Sequence, residues 1–167
     1  MPMAMAVDAE GTIFVADLEL HRIFKIPHAG GEPLELAVVS APRGLAFDSE
    51  GNLIVVSTTK DQLLKVTMKG EVSVLVADRP FDFPHNVTIS KDGTKFITDG
   101  YGKCVWQVGT DNKPAKLISG EPFVNPVGIS IAGDVLLVTD PRANAVFEVT
   151  LEGKLKNLKL PAEAPAK

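Results

Sequence analysis

The chain has 167 residues, a formal net charge of −4 and 45% hydrophobic content. That length suits one domain burying roughly 70% of its unfolded surface. The acidic balance argues against nucleic-acid and membrane-surface partners, which select a basic footprint. A lone cysteine, Cys104, excludes a disulfide framework and a cysteine-built zinc site.

Reading from the start, Met1 to Ala4 contains no basic segment leading into an apolar one, so the chain as given carries no secretion signal. Cytoplasmic placement is the expectation, or secretion if the chain was excised from a longer precursor. No apolar run approaches the length of a transmembrane helix. What begins at Pro2 is instead the first of four copies of a repeat. PMAMAVDAEG (2–11) aligns with PRGLAFDSEG (42–51), PHNVTISKDG (84–93) and PVGISIAG (126–133). The offset between copies is about 41 residues.

Each copy continues with a second apolar run: Ile13–Asp17, Leu53–Ser57, Lys95–Asp99 and Leu136–Asp140. Six residues past each run's end a third begins: Ile23–Ile26, Leu63–Val66, Val105–Val108 and Val146–Val149. A weaker fourth run follows at Leu34–Val39, Val72–Ala77, Ala115–Ser119 and Leu155–Leu160. The runs are short, rich in Val, Ile, Phe and Thr, and bounded by Gly, Pro, Asp and Asn, which is the signature of strands. The turns at 8–11 and 48–51 place Gly where a hairpin loop requires positive φ. Four antiparallel strands per repeat, four times over, predict an all-β propeller of four blades, about 2–40, 41–80, 81–124 and 125–160, with 161–167 as a flexible tail. Phe24, Leu64, Trp106 and Phe147 share one column, and Phe14, Ile54, Phe96 and Leu137 another. Both columns are expected in the blade-to-blade core.

The repeat resembles the NHL family in its Pro-x-Gly-Leu-Ala-Phe-Asp-x-x-Gly start, its Ile-Phe-Val-Ala-Asp run and its His-Arg-Ile-Phe-Lys-Ile close. Leu20, where that family favours Asn, and Ser57, where the other copies have Asp, depart from the pattern. The third copy, with Pro84-His85-Asn86, is also similar to gluconolactonase-like propellers, whose Asn near the channel mouth binds a divalent metal. The resemblance implies that the first strand of each blade lines a central channel. It also implies that the segments before that strand and after the second open on one face.

Two groups of residues should meet on that face. One is Met3, Arg43, His85, Asn86 and Val127. The other is Asp17, Ser57, Asp99 and Asp140 with the loops that follow them, including Tyr101. Arg43, His85, Asn86 and Tyr101 break the repeat, so the scaffold does not demand them. Arg43 offers a planar fork for a carboxylate, against the plainer reading of a solvated ion pair. His85 offers a base or metal ligand, against a polar residue wetting the mouth. Asp17, Asp99 and Asp140 recur with the repeat and read first as caps of their own turns. His21 and His28 read as structural, and Cys104 as a small hydrophobe.

The function expected is a non-catalytic binding or scaffold module with no cofactor, taking a small molecule or peptide on the channel face. One alternative is a metal-dependent lactonase or ester hydrolase with Ca²⁺ held by Asn86, Asp99 and Asp140. Another is an excised or designed propeller fragment without independent activity. Four blades leave two apolar end faces, so a homo-oligomer is expected, with a dimer closing an eight-bladed ring the favoured form.

Overall fold

A computed structural model of the chain describes residues 1–158 and contains no helix among them. Blade 1 is built of β1 (Pro2–Val7), β2 (Ile13–Asp17), β3 (Arg22–Ile26) and β4 (Leu34–Val38). Blade 2 is β5 (Pro42–Phe47), β6 (Leu53–Ser57), β7 (Leu63–Val66) and β8 (Val72–Val76). Blade 3 is β9 (Pro84–Ile89), β10 (Lys95–Asp99), β11 (Cys104–Val108) and β12 (Pro114–Ser119). Blade 4 is β13 (Gly128–Ala132), β14 (Val135–Asp140), β15 (Ala145–Thr150) and β16 (Leu155–Leu158). Each blade is a four-stranded antiparallel meander in chain order. The expected four-bladed β-propeller is the architecture observed. The expected tail, 161–167, and the end of the last run past Leu158 lie outside the described residues.

The hairpin turns follow their sequence. In blade 1 the Asp8 carboxylate accepts the backbone N–H of Glu10 and Thr12, and Gly11 takes φ +83°. Asp48 and Gly51 repeat that arrangement in blade 2.

Strand alternation gives every blade two apolar faces. Phe14, Ala16 and Ile23 of blade 1 pack against Leu45, Val55, Leu64 and Val66 of blade 2. Ile54, Val56 and Leu63 of blade 2 pack against Val87, Ile97, Val108 and Trp106 of blade 3. Phe96 and Val105 of blade 3 pack against Ile129, Val138, Phe147 and Val149 of blade 4. Fully burying a side chain of this size contributes about 1.5–3 kcal/mol, so these three seams carry most of the fold's cohesion. Phe24 and Leu137 are the exceptions in their columns, since they sit on the outer faces of blades 1 and 4 and are only half-buried.

The inner strands pack in succession, β1 on β5, β5 on β9 and β9 on β13. No comparable packing joins β13 back to β1 among the described residues.

One boundary differs from expectation. The inner strand of blade 4 starts at Gly128 rather than Pro126. The other three inner strands begin on their proline, paired with the end of the second strand across a bulge. Blade 4 has no such bulge. In blades 1–3 the residue after the second strand donates to the carbonyl before the proline: Leu18 to Met1, Thr58 to Ala41 and Gly100 to Phe83. In blade 4 that residue is Pro141, which has no N–H, and the first bond is made by Val127, donating to the Thr139 carbonyl at 2.9 Å.

Candidate functional site

Met3, Arg43 and His85 occupy the same position in blades 1, 2 and 3. In each blade the register skips that residue, which is the extra residue of a β-bulge. A bulge takes a side chain out of the blade's in–out alternation and re-aims it. In blades 2 and 3 the side chains so released are an arginine and a histidine on adjacent inner strands.

They converge on an aromatic wall. The Arg43 guanidinium carbon lies 4.6 Å from the centre of the Phe83 ring, a cation–π contact. Tyr101 stacks on Phe83 at 4.6 Å with 19° between planes, and His85 meets it edge-on at 5.1 Å. Arg43 Nε and His85 Nε2 are buried with no hydrogen-bond partner, the only such side-chain atoms among the described residues. Arg43 also has no carboxylate within ion-pair distance among them. Unpaired buried donors of this kind are uncommon and costly. The floor is Gly100, fully buried between blades 3 and 4. A Cβ there would overlap Asn125 Oδ1 and come within 2.7 Å of His85 Nε2.

Burial, and then the charge of Arg43, push the His85 pKa down to about 4, with Asp99 opposing. His85 is therefore neutral at pH 7. An unfolded histidine takes its proton near pH 6.5, so the unfolded state binds it first as pH falls. Through this residue, stability present above pH 6.5 drains away down to about pH 4. An NMR titration should show the His85 ring unmoved between pH 5 and 8. Arg43→Ala should raise its midpoint, whereas an unchanged midpoint would show that the guanidinium does not act on the ring.

The other expected site residues lie elsewhere. Asp99, wholly buried, accepts N–H bonds from Asp82, Phe83 and Gly102 and from the Trp106 indole, at 2.8–3.0 Å. Asp140, also wholly buried, accepts four backbone N–H bonds from Val124, Asn125, Arg142 and Ala143. Asp17 accepts from Glu19, Leu20 and the Met1 amino group. These three are latches that tie the end of each second strand to its own turn and to the segment entering the blade. In blade 2 Ser57 makes a lighter version, donating to the Ser40 carbonyl at 2.7 Å. Asn86 faces the seam with blade 2, where its Oδ1 accepts the Val87 N–H at 2.9 Å and Gly44 backs onto it.

This donor set does not fit a Ca²⁺ site. Both carboxylates already hold four N–H donors each, and among the described residues no three His, Cys, Asp or Glu side chains converge on a point. Cys104 is fully buried and its thiol is pushed up to about 12, first by burial, so it is a core residue and no nucleophile. His21 Nδ1 accepts the Ala41 N–H at 2.9 Å and joins blades 1 and 2.

Phe83 and Asn125 were not singled out from the sequence, and Gly100 was expected on the face only as part of the loop after Asp99. The signal was there: Met1, Ala41, Phe83 and Asn125 share the column before the proline, and it varies as freely as the Arg43 column. The larger recesses of about 480 and 520 Å³ lie at the hairpin-turn end and are lined by turn residues such as Asp92 and Glu50. Those residues follow from the repeat, whereas the Arg43 cluster breaks it.

No family model and no curated protein matches the sequence. Solved structures do match in fold. A streptogramin B lyase aligns with TM-score 0.82 at 19% identity, over 96% of this chain and 55% of that one. A gluconolactonase from Xanthomonas campestris aligns at 0.79 and 15% identity, over 98% of this chain and 64% of that one. A catalytically inactive histidine variant of virginiamycin B lyase from Staphylococcus aureus, bound to quinupristin, aligns at 0.81 and 17% identity, over 97% and 56%. The chain thus spans a little over half the length of the lyase structures it resembles. At these identities the likeness establishes the propeller fold alone.

Proposed function

We propose that this propeller, of NHL-like type, is a non-catalytic binding module whose channel face takes a small carboxylate with a flat apolar body. The observation that carries the reading is the pair of buried, unpartnered nitrogens, Arg43 Nε and His85 Nε2, beside the Phe83–Tyr101 stack. A guanidinium with no acidic partner is the residue best suited to a planar anion. Neutral His85 can donate a hydrogen bond to the same group when its proton sits on Nε2. Tyr101, 64% exposed, leaves a ring edge free to cover an apolar body. Cys104 is buried with its thiol held protonated, and Asp99 and Asp140 are each engaged by four N–H donors, which supports the non-catalytic reading.

Benzoate is a suitable probe, with benzamide as its neutral counterpart. By calorimetric titration benzoate is expected to bind, Arg43→Ala to weaken it at least tenfold, and Arg43→Lys to restore little, since an ammonium lacks the fork. Equal binding of benzamide, or an unchanged Arg43→Ala, would overturn the anion reading. The fold likeness to gluconolactonases is compatible with a hydrolase. Turnover of a simple lactone, with or without added Ca²⁺, would overturn the non-catalytic reading.

A further inference from the structure

The three seams inside the chain follow one rule. The forward face of a blade packs against the backward face of the next, column on column. Among the described residues, blade 1 has a backward face with nothing in front of it. Its columns are those of the buried faces of the other blades: Met5 stands where Leu45 stands, Val15 where Val55, Phe24 where Leu64, and Ile26 where Val66. Leu45 is 6% exposed and Val55 is 0%, whereas Met5 is 66% exposed and Val7 52%. Val15, Leu20, Phe24 and Ile26 line an open apolar recess of about 430 Å³. Blade 4 has the matching forward face, free among the described residues. Leu137 stands in the column of Phe14, Ile54 and Phe96, and Val146 in that of Ile23, Leu63 and Val105. Both are half-buried, where Phe14 and Ile23 are covered.

We propose that the backward face of blade 1 is a docking surface for the forward face of blade 4 on a second copy of this chain. The two copies pair head to tail through two identical seams and close an eight-bladed ring. The occupant is identified by continuity with the internal seams. A face that repeats the pattern of Leu45, Val55 and Leu64 accepts what they accept, and blade 4 presents that pattern unpaired. Contiguous exposed apolar surface of this kind marks an interaction site. The joined surfaces are different, so association is directional, and two chains close where an open chain of copies would grow.

The test is absolute mass by light scattering on a sizing column. The wild-type chain is expected at twice the chain mass, independent of loading over a tenfold range. Phe24→Asp and Val146→Asp, each on one free face, should each give the single-chain mass with an unchanged β-sheet circular dichroism spectrum. Mixing the two variants should restore a two-chain species, because each retains the face the other has lost. A wild-type single-chain mass would overturn the proposal. So would a polydisperse series, which means pairing without closure. If Val146→Asp stays dimeric while Phe24→Asp does not, blade 1 pairs with itself and the head-to-tail geometry fails. These outcomes do not depend on benzoate binding, since Arg43, His85 and Tyr101 lie on neither face.

Discussion

Asp99→Ala is expected to lower the unfolding free energy by about 3–5 kcal/mol, a large loss for a single substitution. The carboxylate is wholly buried and is the acceptor for three backbone amides and one indole N–H. Removing it leaves the N–H groups of Asp82, Phe83 and Gly102 without an acceptor, and each such group costs about 1–3 kcal/mol. Part of that returns where water enters the cavity, which is why the sum is not the expected total. Urea unfolding at constant slope would measure it. Asp17→Ala is the internal comparison, with an expected loss of about 1 kcal/mol, because its turn is more open to water. A loss below 1 kcal/mol at Asp99 would mean that the entry segment of blade 3 is held by something else. The same variant reaches the site. Asp99 fixes the Phe83 amide at 2.8 Å, and Phe83 is the ring on which Arg43 and Tyr101 rest. Benzoate binding should weaken in Asp99→Ala although the carboxylate touches no ligand.

The contrast between Asp99 and Arg43 shows what the sequence can and cannot carry. A residue that recurs every 41 or so positions is read from its neighbours in the other copies. Asp17, Asp99 and Asp140 were legible as caps for that reason, and so were Gly11 and Gly51 at their turns. Blade boundaries came from the constant six-residue spacing between the second and third runs, because strand period and turn chemistry are local. Arg43, His85 and Tyr101 stood out by breaking the repeat, and the structure brings those three together. It leaves Asn86 in the seam between blades 2 and 3, because the residue after the bulge returns to the alternation. The bulge itself was not legible. It appears only when Pro42 pairs with Ser57 and Gly44 with Val56, a register that depends on both strands.

Gly70→Ala should destabilise by about 2–4 kcal/mol, through the meeting of two blades at their outer edge. Gly70 ends the turn between β7 and β8 at φ +83°, and a Cβ there would run into the backbone carbonyl of Leu36 in blade 1. The positive φ alone costs an alanine about 1 kcal/mol. The remainder comes from pushing β4 away from the turn, which opens the seam where Ala37 and Leu64 are buried. Gly153 stands the same way in blade 4, where a Cβ would lie 2.5 Å from the Leu117 carbonyl oxygen of blade 3. Gly30 is the corresponding residue of blade 1. It has φ +81° and the same turn bond, here to Pro27, yet nothing lies within 4 Å of its Cβ position among the described residues. Gly30→Ala in the Phe24→Asp background, where the free face stays uncovered, should therefore cost only the φ strain, about 1 kcal/mol. In the wild-type background the same change should cost more if a second copy packs its outer strand there. The difference between the two backgrounds measures how closely that copy reproduces the seam that Gly70 makes with Leu36. If both backgrounds give the same small loss while Gly70→Ala gives the large one, the outer edge of blade 1 stays open in solution, and any contact between copies is confined to the inner strands.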